Sequence, residues 1–97
     1  MQTIEWIINW FSSHCDGDWE HENQIQIYTT SNPGWTVIIN LRDTQLEHLS
    51  MNQESFEKSE LDWYFVSIKD KKFKASGDLQ KLSFLLERFK KIAELNS

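Results

Sequence analysis

A single cysteine, Cys15, leaves this chain no internal disulfide, which suits a reducing compartment. No apolar run approaches the roughly 20 residues of a membrane span. The start, Met1-Gln2-Thr3-Ile4-Glu5, has no basic segment and no small-residue cleavage site. No secretory leader and no membrane anchor are expected, and the expected location is cytoplasmic. No internal repeat or low-complexity tract interrupts the sequence.

Basic residues are scarce where acids are dense. Residues 1–48 hold seven acidic groups and one basic group, Arg42, whereas residues 49–97 hold eight acidic and nine basic groups. Direct nucleic-acid binding is therefore disfavoured, because it rests on Lys and Arg neutralising phosphates. A basic protein partner is favoured, with electrostatic steering as the physical gain.

Aromatic residues are abundant, 13% of the 97 residues with five Trp and six Phe. Large rings each bury roughly 150–250 Å², enough to give a chain of this length one core without covalent staples. A single domain over residues 1–97 is the expected organisation.

Ile4, Ile7, Ile8 and Phe11 follow the i, i+3, i+4, i+7 spacing of an amphipathic helix over 3–13. Trp6 and Trp10 form a second stripe, placed between two surfaces or offered to a partner, a second copy included. Residues 12–23 break the period and read as a structured loop. Residues 24–30 and 35–41 alternate, and Ser31-Asn32-Pro33-Gly34 between them suits a type II turn with Gly34 at positive φ. These predict a β-hairpin. The polar stretch 43–61 is long for a structureless loop, so a short strand is expected near 55–58. Residues 63–68 and 72–75 read as strands joined at Asp70-Lys71. Asp78 suits a helix N-cap before Leu79, Leu82, Leu85, Leu86, Phe89, Ile92 and Ala93, which line one face of a helix to about Glu94. The expected fold is α+β: an antiparallel meander of four to five strands, with the N-terminal and C-terminal helices packed on one face.

Chemistry concentrates in His14-Cys15-Asp16-Gly17-Asp18-Trp19-Glu20-His21-Glu22. Asp16, Asp18 and Glu20 are spaced like the first ligands of a calcium loop, but His21 stands where the loop needs Gly and Ile27 where it needs Glu. His14, Cys15 and His21 are acceptable zinc donors without a second paired motif, and no metal or other cofactor is expected. The same three residues contain the parts of a thiolate–imidazole pair, so a small metal- or thiol-dependent enzyme is the rival reading. Asp16 and Asp18 equally suit a tight turn around Gly17, accepting backbone N–H groups while Trp19 packs into the core. Trp35 either caps the sheet or anchors a partner. The lysines of 69–74 read as protection of a strand turn.

The strings Trp6-Ile7-Ile8-Asn9-Trp10-Phe11, Cys15-Asp16-Gly17-Asp18-Trp19-Glu20-His21 and Asn32-Pro33-Gly34-Trp35 resemble the immunity protein 53 family. Asp62-Trp63, Lys72-Phe73 and the Leu-rich terminal helix extend the likeness along nearly the whole chain, with Leu46–Glu60 the loosest part. The resemblance implies a non-enzymatic bacterial protein of a polymorphic toxin system that binds and neutralises a cognate toxin. Basic nucleases are common among such toxins and would suit an acidic surface. Joined to the charge pattern, it makes Asp16, Asp18, Trp19, Glu20, His21, Glu22 and Trp35 the expected partner-binding residues, on a monomer or homodimer.

Overall fold

A computed structural model describes residues 2–96; residues 1 and 97 of the expected domain lie outside them. Helix α1 spans Gln2–His14 and a short α2 spans Trp19–Glu22. Strands β1 (Ile25–Thr30), β2 (Gly34–Asn40), β3 (Met51–Ser59), β4 (Asp62–Lys69) and β5 (Lys72–Gly77) follow, and α3 covers Leu82–Leu95. The α+β class, the antiparallel sheet and the two terminal helices are as the sequence predicts.

The sheet has five strands in the order β1-β2-β5-β4-β3, all antiparallel. Consecutive order therefore holds within β1–β2 and within β3–β4–β5, but β5 lies between β2 and β4. Burial explains the placement. In β5, Phe73 and Ala75 are wholly buried, so it belongs in the sheet interior. In β3, every residue after Met51 is exposed, so it belongs at an edge. The stretch from β2 to β3 passes buried Leu41 and Leu46 and delivers the chain to that far edge. Strand β3 is also much longer than the 55–58 expected, because polar residues on an exposed edge carry no apolar alternation to reveal it.

The turn expected at Asp70-Lys71 is present, and the one at Gly34 differs. Asp70 and Lys71 both take positive φ, 54° and 63°, the pattern of a two-residue type I′ hairpin. Gly34 does not take positive φ; Gly17 is the positive-φ glycine among the described residues. Gly34 is instead the buried first residue of β2, where an added Cβ would sit 2.5 Å from the Gly77 carbonyl oxygen. It serves close strand approach and not a type II turn.

Val37, Ile39, Val66, Ile68, Phe73 and Ala75 form the sheet side of the core, and α3 covers them with Leu85, Leu86, Phe89 and Ala93. Helix α1 packs against α3. Its Trp6 and Trp10 rings meet Phe89 edge-on, with centroids 6.2 and 5.0 Å away. The second stripe of α1 thus faces the core with Ile7, while Ile4 and Ile8 remain exposed at 45% and 56%. Trp6 and Trp10 are partly buried against the core and keep part of their surface open. The opposite sheet face is open and presents Gln26, Ile38, Asn40, Ser67, Lys72 and Lys74 around a shallow polar depression.

Candidate functional site

Helix α1 ends in a set of local bonds that fix the turn after it. The Ser13 hydroxyl donates to the Trp10 carbonyl at 2.7 Å. His14 Nδ1 lies 2.7 Å from the same oxygen, which requires the proton on Nδ1. Cys15 Sγ donates to the Phe11 carbonyl at 3.4 Å. His14 and Cys15 are therefore turned back onto their own helix, with the His14 ring against Trp10 and Trp19. Desolvation, then the carboxylates of Glu20 and Asp16, push the Cys15 thiol up from its ordinary value. That direction opposes a thiolate nucleophile. Among the described residues, no group of three or more His, Cys, Asp or Glu is arranged to hold a metal ion.

The next residues close on themselves. Asp16 Oδ1 accepts the amides of Asp18 and Trp19 at 2.9 and 2.8 Å. The Glu20 carboxylate reaches back to the amides of Asp16 and Gly17 at 3.0–3.2 Å. The two acids thus cap α2 and its approach reciprocally, a variation on the capping box. The amides of Trp19 and Asp18 hold Asp16 below the usual carboxylate range. Glu20 is lowered by its own amide and by those of Asp16 and Gly17, against some desolvation. Gly17, at φ +98°, supplies a backbone conformation that an L side chain strains.

Trp19 is 8% exposed. Its ring contacts Phe11 and Trp10, and its Nε1 donates to the Arg42 carbonyl at 2.6 Å. Buried Asn23 follows, its side-chain amide donating to the Trp19 carbonyl. The segment is tied to the body by Trp19 at its centre, so its backbone is held in place.

Of the seven residues expected to meet a partner, the structure gathers six and separates one. Asp16, Asp18, Trp19, His21 and Glu22 line one cleft of about 530 Å³ with His14, Asn23 and Asp43, and Glu20 is joined to them through the Asp16 and Gly17 amides. Asp18 makes no side-chain capping bond. Asp18, His21, Glu22 and Asp43 are exposed, so the outward rim is mainly acidic. Asp43 is brought in because the residue before it, Arg42, holds the Trp19 ring; nothing in its sequence surroundings marks it beyond its charge. Trp35 lies at the other end of β2, about 17 Å along the strand from Asn40, whose side chain reaches the Glu22 carbonyl. Its Nε1 donates to the Leu79 carbonyl, which makes it a clamp between β2 and the approach to α3.

Replacing Gly17 by alanine is expected to cost about 1–2 kcal/mol, the strain of a side chain at that φ, although an added Cβ meets nothing within 4 Å. Urea unfolding followed by Trp fluorescence measures it. Asp18→Ala, which removes no capping bond, should leave the midpoint within about 0.5 kcal/mol of the parent. Equal losses in both variants would contradict this reading of the loop.

No curated protein and no solved structure matches the chain. The family model of Immunity protein 53 matches residues 4–94, from the first turn of α1 to the last turn of α3, and by that match the chain belongs to the Immunity protein 53 family.

Proposed function

We propose that this protein protects the cell that makes it by binding one cognate toxin through an acidic rim formed by the α1–β1 connection and Asp43. Membership of an immunity protein family carries the reading. The rim gives it a physical form: exposed Asp18, Glu22 and Asp43 around a cleft whose floor is locked by Asp16, Trp19 and Glu20. Fixed acids steer a basic partner and keep the orientation that close approach needs. Asp18, His21, Glu22 and Asp43 are the contact residues in this reading. Asp16, Trp19 and Glu20 position them.

The partner chemistry that fits is a basic protein, a nuclease being one class whose own substrate demands such a surface. The protein acts as a stoichiometric inhibitor in the cytoplasm, as a single domain and without catalysis of its own. Coexpression with the toxin encoded beside it should restore growth and yield a complex of defined stoichiometry. Charge reversal by Asp18→Lys with Glu22→Lys should then slow association about tenfold or more at low salt and flatten its salt dependence. A toxin that neither binds nor loses its toxicity would refute the immunity reading. Binding with unchanged association kinetics would move the interface elsewhere on the protein.

A further inference from the structure

The two edges of the sheet are built differently. Strand β3 carries Glu54, Glu57 and Lys58 and breaks its register with β4 between Met51 and Glu54 and again between Glu57 and Ser59. Charges and bulges of this kind keep an edge from pairing with another chain. Strand β1 reads Ile-Gln-Ile-Tyr-Thr-Thr. It has no charge, no proline and no shift of register along its pairing with β2.

The free side of β1 follows from one hydrogen bond. The Asn40 amide donates to the Gln24 carbonyl, and the register sets Ile25 opposite Ile39. Gln24 and Asn40 are thus a bonded pair. Bonded pairs alternate in an antiparallel ladder, so Gln26 and Tyr28 bond inward to β2. Ile25, Ile27 and Thr29 aim their amides and carbonyls out of the sheet. Their side chains lie on the helix-covered face, beside a groove of about 520 Å³. Ile4, Ile8, Phe11, Ile25, Ile27 and Leu82 line it, and none of its lining residues is charged.

We propose that β1 is a self-association edge: a second copy adds its own β1 antiparallel about a twofold axis at Ile27, which extends the sheet through both copies. That axis sets Ile27 opposite Ile27 of the second copy, and Ile25 opposite Thr29. All of these residues have outward amides and carbonyls, so about six interchain hydrogen bonds form. No other twofold register of the strand pairs as many. Backbone pairing over six residues does not by itself reach the roughly 800 Å² per partner of a stable interface. The exposed Ile4 and Ile8 must be covered too, which brings α1 into the contact.

Charge selects the occupant. A chain of net charge −5 repels its copy overall, and β1 and the groove lining carry no charge to add to that repulsion. A basic partner gains nothing from a groove without acids, whereas the copy brings a matching neutral strand and matching isoleucines.

Sedimentation equilibrium in reducing buffer, which prevents a covalent dimer through Cys15, tests the proposal over micromolar to millimolar protein. The expected result is a dimer of twice 11.6 kDa that Ile27→Lys and, separately, Ile8→Asp weaken at least tenfold. Both positions are exposed, and circular dichroism verifies that each variant is folded. Hydrogen exchange supplies a readout without mutation: the amides of Ile25, Ile27 and Thr29 should gain protection as concentration rises, while Gln26 and Tyr28 stay protected throughout. A monomer across the whole range overturns the proposal. So does a dimer that both variants leave intact while the three outward amides exchange at one rate.

Discussion

Truncation of Phe89 to alanine is expected to remove about 3–5 kcal/mol of stability, a large share of the 5–15 kcal/mol typical of a domain. The ring is 1% exposed and sits where three others converge: Trp6 and Trp10 from α1, and Phe73 from β5 at 5.2 Å. Its loss opens a cavity between α1, α3 and the sheet. Rigid indoles on one side and a central strand on the other cannot collapse into that space. Edge-to-face contacts add about 0.5–1.5 kcal/mol each beyond area. Urea titration should show a lower midpoint at unchanged slope, and Phe89→Leu should cost less because it retains most of the volume. A loss under about 1 kcal/mol for the alanine variant would mean that the α1–α3 seam is not packed as described. The effect reaches the candidate interface, because Trp10 also touches Trp19. A loosened α1 would release the loop that orients Asp18 and Glu22.

Much of this architecture is legible in the sequence because it is local. Period 3.6 identifies both long helices, period 2 identifies β1 and β2, and aromatic and β-branched content with the Asp70-Lys71 turn identifies β4 and β5. The rest depends on partners distant in the chain. Which strand lies beside β2 is decided by the pairing of residues 35–40 with 72–77, and alternation alone does not choose a neighbour. Asp78 looks like the N-cap of a helix starting at once, yet α3 begins at Leu82. Its carboxylate is shared between the Trp63 amide on β4 and the Gln80 amide, so a turn precedes the helix. On α1, a stripe of four apolar residues and a pair of tryptophans compete for the core. The outcome is shared: Ile7 of the stripe is buried, Trp6 and Trp10 pack edge-on against Phe89, and Ile4 and Ile8 stay exposed.

The candidate site was visible as a place and not as a set of roles. CDGDWEH marks it by density of acids, but carboxylates in sequence carry no mark of which amide they will meet. Asp16 and Glu20 turn out to hold the loop, and Trp19 to hold the loop to the body. Asp18 and Glu22, of the same chemical types, face water. The distinction is set by Gly17, whose positive φ turns its own amide and that of Asp16 toward Glu20. Asp43 joins from a separate stretch through the Trp19–Arg42 hydrogen bond, a contact between residues 23 apart in the chain.

Asp78→Ala is expected to cost roughly 3–5 kcal/mol, the loss typical when one partner of a buried ion pair is removed. Asp78 is 3% exposed. Its carboxylate accepts the amides of Trp63 at 3.0 Å and Gln80 at 2.8 Å and the Lys81 ammonium at 2.7 Å. The alanine leaves two amides without that acceptor, and it leaves Lys81 only its bond to the more exposed Asp62. Burial pushes the Asp78 carboxyl up, but the Lys81 hydrogen bond and the two amides pull harder, and the net direction is down. Bonds to Asp62 and Asp78, against desolvation, raise Lys81. A lowered carboxyl contributes fully above its unfolded value of about 3.9 and loses that contribution as pH falls through the folded value. A raised ammonium contributes fully below its unfolded value of about 10.4 and loses it as pH rises through the folded value. The pair therefore stabilises the fold across neutral pH. Asp78→Asn, which keeps the shape and one acceptor oxygen, should cost about 1.5–3 kcal/mol at pH 7. Its deficit should shrink as the parent is acidified below pH 4, because the parent then loses the same charge. Unfolding free energies of the two proteins, compared from pH 7 to pH 2, give the answer directly. Curves that run parallel over that range would show that the charge of Asp78 contributes nothing, and that only its shape ties β4 to α3.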